Sequence, residues 1–524
     1  MTDLSAMQIP THTALSDTFV LGLKPATPAM RSYRQNIAPQ NKATFVGGDQ
    51  VIFEIPTGKR NTFLDQTQTY LKFTANFVAS AACTTIPASG TQLPINGIYL
   101  DNSAYSFIQR LDVLHASNVL EQINEYGQIA NLLLDTQLTM SDKSGLSSML
   151  GTNPFNITTQ ELGAFSQFGT VVPLQTPGDR SGLPIDAVAV GTGYSGSRPY
   201  TFTLPLLSGV VGANAQKCIP LGKLNSPIRL EMYLSANDDA IFYSLAGAGA
   251  TWQLQNVELV CTFVEINDST FNSSIIPGEV DYIATTTYRQ VSASLPGTYQ
   301  GEFTTLLPFR CCSLKGLFAR FRPFVSSTQG AVNTATYRKG ASINPNFGQY
   351  YWRIANTIMP QKPVYLMNGS LVGGGAEGYA ELLKSNHSLG SALGNTALTY
   401  QMYNVCAGNT AVTAGTGVTT IAPTNVLNGW YQYYNPGSLA AGNQPTCNNA
   451  FAIGQELETI SNRSDTILSG ISTLNSQLFF TGVVYTGLSA GGYQGTQISN
   501  YTCDFFAQMD LILIIQDGIM RGKI

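Results

Sequence analysis

The run Asn256-Val-Glu-Leu-Val-Cys-Thr-Phe-Val-Glu265 has a counterpart, Gln508-Met-Asp-Leu-Ile-Leu-Ile-Ile-Gln-Asp517, aligned residue for residue half a chain later. Val257, Leu259, Cys261 and Phe263 share one side of an alternating pattern in the first copy. Met509, Leu511, Leu513 and Ile515 take the same places in the second, with Glu258 and Asp510 opposite. A period of two marks a strand with one strongly apolar face. Such a strand must sit in a sheet and be covered by a second layer, so the repeat points to one β module used twice.

The chain has 524 residues, enough for about two to four domains with sizeable cores. Charged residues make up only 11% of it, against 44% hydrophobic. A surface that relies on charge for solubility carries about twice that charged fraction. Much of this surface is therefore expected to be covered by other subunits, with a secreted β protein as the plain alternative. A net charge of -4 excludes a strongly basic nucleic-acid coat. The eight cysteines are scattered without paired zinc-ligand spacing and read as free, buried thiols, Cys261 on the apolar face of its strand among them. Met1 to Lys24 has Asp3 before any basic residue and no apolar core, so it does not read as a secretory signal. No apolar run approaches the roughly 20 residues that cross a bilayer. The expectation is a soluble product made in the cytoplasm.

Residues 1–45 lack strand periodicity, hold Pro10, Pro25, Pro28 and Pro39, and read as an extended, slightly basic arm. A first module, 46–270, is expected to contain strands at Gln50 to Ile55, Tyr70 to Val78, Ser106 to Val113, Tyr200 to Leu207, Ile228 to Leu234 and Trp252 to Ile266. Tyr126, Ile129, Ala130 and Leu133 have the spacing of a helix face. Asn267 to Pro277 reads as a linker. A second module, 278–524, offers strands at Tyr282 to Val291, Gly301 to Leu307, Ser313 to Phe324, Tyr351 to Ile358, Pro363 to Met367, Gln477 to Tyr485 and Tyr501 to Gln516, with a short helix at Glu377 to Lys384. Long excursions rich in small residues interrupt both modules, at Gly151 to Ser197 and Leu389 to Cys447. The fold class is all-β: two tandem eight-stranded jelly-roll sandwiches with short helices and long inserted loops.

The motifs that hint at catalysis lack their context. Gly487-Leu-Ser489-Ala-Gly491 has the nucleophile-elbow pattern, but glycine-rich sequence follows it and the last histidine, His387, precedes it. Gly373-Gly-Gly375-Ala-Glu-Gly378 has dinucleotide-loop spacing without a βαβ repeat around it. His12, His115 and His387 are too few and too scattered to suggest a metal cluster or a general-base network. Glu456 and Glu458 read as solvated surface in a polar stretch. No catalytic residue, metal or cofactor is assigned. Seven Asn-x-Ser/Thr sites, at Asn156, Asn267, Asn272, Asn368, Asn386, Asn462 and Asn500, reflect an Asn- and Ser-rich composition.

The strongest local charge bias lies between Val291 and Ala376, where Glu302 is the only acid. Arg310, Lys315, Arg320, Arg322, Arg338 and Lys339 are the candidate functional residues there. They are expected to line an inner face that meets DNA phosphates, or to pair with acids of the other module or of a neighbouring subunit. The second reading is preferred, because the interleaved aromatics also fit strand cores.

The run Ile55-Pro-Thr-Gly-Lys-Arg-Asn-Thr-Phe-Leu-Asp-Gln-Thr-Gln-Thr-Tyr-Leu-Lys-Phe73, the segment Ile108-Gln-Arg-Leu-Asp-Val-Leu-His115 and the run from Trp252 to Glu265 together resemble double-jelly-roll major capsid proteins. That lineage includes the adenovirus hexon, the tectivirus coat protein, and the capsid proteins of nucleocytoplasmic large DNA viruses, virophages and polinton-like viruses. The resemblance implies a structural protein of the virion, not an enzyme. It would form pseudo-hexagonal homotrimeric capsomers that tile an icosahedral shell around DNA. Its implied partners are its own copies, neighbouring capsomers, and penton and minor capsid proteins, with indirect contact to an internal membrane or genomic DNA. No small-molecule substrate is implied. The alternative is a secreted carbohydrate-binding β-sandwich protein or a viral attachment fibre.

Overall fold

A computed structural model of the chain describes residues 30–79, 98–152, 181–185, 188–189, 197–212, 217–243, 250–267, 280–297, 299–324, 339–340, 342, 344–345, 347–366, 375–387, 396–398, 403, 412–415, 418–421, 451–458, 468–484 and 500–524. The first half contributes β1 (Met30–Ile37), β2 (Gln50–Ile55), β3 (Thr62–Ala79), β4 (Ile108–His115), β5 (Asn118–Asn124), β6 (Tyr200–Pro205), β7 (Ile228–Leu234) and β8 (Ala250–Ile266). The second contributes β9 (Asp281–Pro296), β10 (Gly301–Leu307), β11 (Leu314–Phe324), β12 (Phe347–Ile354), β13 (Thr357–Tyr365), β14 (Ile453–Glu456), β15 (Leu478–Val484) and β16 (Asn500–Gln516).

In the first half, backbone pairing orders the strands β1-β8-β3-β6 in one sheet and β2-β7-β4-β5 in the other. In the second half the orders are β9-β16-β11-β14 and β10-β15-β12-β13. Adding eight to each label of the first half gives the second, so the same antiparallel jelly roll is wound twice. Short strands extend these sheets: Thr44–Val46 on β8, Ile219–Pro220 and Val188–Ala189 on β3, and Ile519–Lys523 on β16.

The two copies of the repeated segment, in β8 and β16, hold equivalent interior places in their sheets. Val257, Leu259, Cys261 and Phe263 are buried in one sandwich, and Met509, Leu511, Leu513 and Ile515 in the other. Large rings fill the space between layers. Trp252 lies edge-on to Phe107 at 4.8 Å, and Trp352 edge-on to Phe480 at 4.9 Å. Such pairs add about 0.5–1.5 kcal/mol beyond the area they bury.

The helices repeat as well. Tyr126–Gln137 follows β5 and Ala376–Ser385 follows β13, the same connection in each sandwich. The second helix sits close on β14, where a Cβ added to Gly454 would lie 2.9 Å from Leu382 Cα. Any larger residue there would lift the helix from the sheet.

Three local readings change. Residues 30–37, assigned to the extended arm, form β1 and pair along β8 from Met30↔Ile266 to Ile37↔Leu259. Most of their side chains are exposed, so the strand carries no apolar alternation to read; backbone pairing and the stacking of Tyr33 on Phe263 hold it. The single strand expected over Tyr351 to Ile358 is instead two strands, turning at Ala355, whose φ is 51°. Strand β5 carried no clear pattern because Leu120 and Glu121 are both buried beside a register shift. Of the long excursions most residues, and of the motif at Gly487 to Gly491 all, lie outside the described residues.

Cys261, Cys311 and Cys503 are free and buried, Cys312 is half-buried and Cys218 is exposed. Burial pushes the Cys261 thiol up to about 12. Among the described residues, no helix is long and apolar enough to cross a membrane.

Leu259→Ala and Leu511→Ala remove the same side chain from equivalent, fully buried places. Each is expected to lower unfolding stability by about 2–5 kcal/mol, read as a fall in the urea midpoint. Leu306→Ala, at a position 51% exposed, should stay within about 0.5 kcal/mol of the native chain.

Candidate functional site

The two sandwiches meet along a seam in which β5 of the first faces β9 and the strand Ile519–Lys523 of the second. Polar groups are buried there. The Glu121 carboxylate accepts from Thr287 Oγ1 at 2.6 Å across the seam, from the Gly209 amide at 3.0 Å, and from Ser208 Oγ. Burial raises the Glu121 carboxyl above its ordinary value, while the bonds from Ser208 and Thr287 pull it back.

His115, at the end of β4, holds the other side of the seam. Its Nδ1 accepts from the Met520 amide at 3.1 Å, so the proton sits on Nε2, 3.1 Å from the Ser226 carbonyl. Burial lowers its pKa below the ordinary 6.5. The Asn225 amide donates to the Gly518 carbonyl at 2.9 Å, and Lys223 pairs with Asp281 at 2.7 Å.

A cluster of charges closes the seam between β11 and the start of the helix Tyr126–Gln137. Arg320, fully buried, donates to the Gln128 carbonyl at 3.2 Å, to the Gln128 side chain and to the Gly340 carbonyl. Arg322 forks onto Asp504 of β16 and lies 3.8 Å from Glu125. Burial disfavours the Arg322 charge, but Asp504 and Glu125 outweigh it and hold the guanidinium above its usual value. Lys339 reaches Glu125 at 3.3 Å and Asp239 at 3.0 Å. The Gly340 amide donates to Asp101 at 2.6 Å. Glu125 has a left-handed backbone, φ 48°, which brings its carboxylate to both cations.

Arg320, Arg322 and Lys339 therefore come together and face groups of the first sandwich. Lys315 stays within its own half, 3.1 Å from Glu458 and 3.0 Å from Asp510. Arg310 is exposed, and Arg338 lies outside the described residues. Glu456 and Glu458, expected as solvated surface, are instead 9% and 8% exposed. The strand that leads to them, Ile453–Glu456, is too short to show its buried neighbours in sequence. The acids that answer the cations were not singled out from sequence. Asp504 had a signal, a lone charge in the apolar run from Tyr501 to Ala507, whereas Glu125 and Asp239 stand in ordinary polar surroundings.

No protein-family model matches the chain, and no curated protein matches it. Solved structures do. The cryo-EM structure of the Sputnik virophage superposes over 98% of this chain and 93% of its own, with a TM-score of 0.56 at 12% identity. The mavirus major capsid protein covers 99% of this chain and 95% of its own at a TM-score of 0.48 and 10% identity. The Faustovirus major capsid protein covers 97% and 93%, also at 0.48 and 10%. The Sputnik likeness runs through both sandwiches, and with the strand order it makes this chain a double jelly roll.

Asp504 is 1% exposed, so Arg322→Met strands a buried carboxylate and is expected to cost about 3–5 kcal/mol in denaturant titrations. Glu125→Ala should cost less, because Lys339 keeps Asp239 and Arg322 keeps Asp504. His115 gives a pH signature. A histidine with a lowered folded pKa contributes stability that is present above 6.5 and is lost as pH falls through the folded value. The native thermal midpoint should therefore drop as pH falls below the ordinary 6.5, and His115→Asn, which keeps an acceptor for Met520, should flatten that drop.

Proposed function

We propose that this protein is the major capsid protein of an icosahedral DNA virus, assembling as pseudo-hexagonal homotrimers. The observation that carries the reading is the duplication itself. Two jelly rolls of identical strand order, locked by a buried polar seam, let three subunits present six similar towers, so a threefold object can tile as a hexagon. The whole-chain likeness to a structure of the Sputnik virophage supports it.

Weak surface charge fits flanks that are buried against sister copies. Tyr282 on β9 is 60% exposed, and Val119 on β5 and Leu306 on β10 are more than half exposed. Apolar side chains of that size on sheet edges are suited to subunit contacts. In this reading residues 46–270 and 278–524 are the two jelly-roll units, the first also taking in β1. The segment before β1 ties the capsomer base to neighbours, and Arg310 is left for an inner-face or inter-subunit contact. Neighbouring capsomers, penton and minor capsid proteins are the partners, with an internal membrane or genomic DNA met indirectly. The protein is made in the host cytoplasm and resides in the virion, with structure rather than catalysis as its role.

Light scattering on the size-exclusion peak should give three chains per particle, and electron microscopy should show hexagonal outlines. A monomer that binds glycans would overturn the reading in favour of a secreted or attachment role. Tyr282→Glu is expected to shift the peak towards monomer with the circular dichroism spectrum unchanged.

A further inference from the structure

Behind the helix Ala376–Ser385, at the outer side of the second sandwich, His387, Glu456 and Glu458 converge. His387 Nδ1 lies 3.8 Å from Glu456 Oε1, and Nε2 lies 3.7 Å from Glu458 Oε2. One donor atom from each residue can be chosen so that all lie within 4.8 Å of one another. Lys315 and Asp510 flank the group, Lys315 bonding both Glu458 and Asp510. Ser313 donates to Asp510 at 2.6 Å, and Ser469 donates to Glu458 at 3.2 Å.

Two independent features show that this group lacks something. Glu456 Oε1 is buried with no hydrogen-bond partner, on a side chain only 9% exposed and aimed at the imidazole. A buried carboxylate oxygen left so is strongly unfavourable unless a cation reaches it. The group is also rich in acids. Glu456, Glu458 and Asp510 stand around the single ammonium of Lys315. A divalent cation would supply the positive partner that Glu456 lacks.

The backbone is shaped to the same end. His387 stands two residues beyond the helix in a left-handed conformation, φ 56°, its amide bonded to the Lys384 carbonyl at 2.9 Å. That conformation is uncommon for a residue with a side chain, and here it turns the ring back towards β14.

We propose that His387, Glu456 and Glu458 bind one divalent transition-metal ion, with Zn²⁺ the best match to one imidazole and two carboxylates. Nitrogen and oxygen ligands of tetrahedral Zn²⁺ sit at about 2.0–2.2 Å, so any two of them stand about 3.3–3.6 Å apart. The three donors, within 4.8 Å of one another, need up to about 1.5 Å of closure to reach that span. Lys315 and Ser469, bonded to Glu458, orient that carboxylate as outer partners do in metal sites. The bound ion pins the end of the helix to β14 and, through Lys315, to β11 and β16. This assignment stands whether or not the protein builds a shell.

Full-length protein stripped with a chelator and dialysed is titrated with Zn²⁺ by calorimetry, and with Co²⁺ by visible absorption. One Zn²⁺ per chain is expected, with a Co²⁺ spectrum typical of nitrogen and oxygen ligands and a raised thermal midpoint. Glu456→Gln and His387→Ala should each weaken binding at least about tenfold and abolish the metal-dependent rise. Glu456→Gln is close to isosteric, and circular dichroism reports whether each variant is folded. Absence of saturable binding by the native protein, or equal binding by both folded variants, would overturn the site.

Discussion

Cations of one sandwich buried against acids and carbonyls of the other fix how the two halves of this chain are joined. Apolar contact alone would hold them together without setting an angle, because it is non-directional. Arg320 on Gln128, Lys339 on Glu125 and Asp239, and Glu121 under Thr287 each have few acceptable geometries. Displacing one leaves a charge or a polar group without its partner in a dry place.

The duplication goes deeper than the repeated ten-residue run. Strand order, the interior place of β8 and β16, and the helix after the fifth strand recur together, while sequence outside that run has diverged. The halves are not interchangeable. β8 keeps a partly polar outer face, with Glu258 paired to Lys72, whereas β16 is buried on both faces from Cys503 to Ala507. The first half thus takes solvent or neighbours on a side where the second takes the seam.

What the sequence revealed follows from burial. Strands with one apolar face, such as Gln50–Ile55 and Ile228–Leu234, were legible to the residue, because alternation is strict where one side meets the core. β1 was hidden because almost all its side chains face out, and β14 because its few residues are buried on every side. The basic stretch was visible as a bias, yet its partners lie in distant segments with no local mark. The same holds for His387, which meets Glu456 and Glu458 only when the helix Ala376–Ser385 folds onto β14. Scatter along the chain was a poor guide to separation in space.

The clip formed by Met520 on His115 joins residues 405 positions apart. A ribosome adding about 5–20 residues per second needs roughly 20–80 s to make that span. For all that time the nascent first sandwich displays an unfinished edge, with Glu121 and His115 open to any matching chain nearby. On a polysome, where many ribosomes read one message, the neighbour's tail is chemically as suitable as the chain's own. Only the tether between the sandwiches, by keeping the right tail close, favours closure within one molecule over an exchange of tails between two.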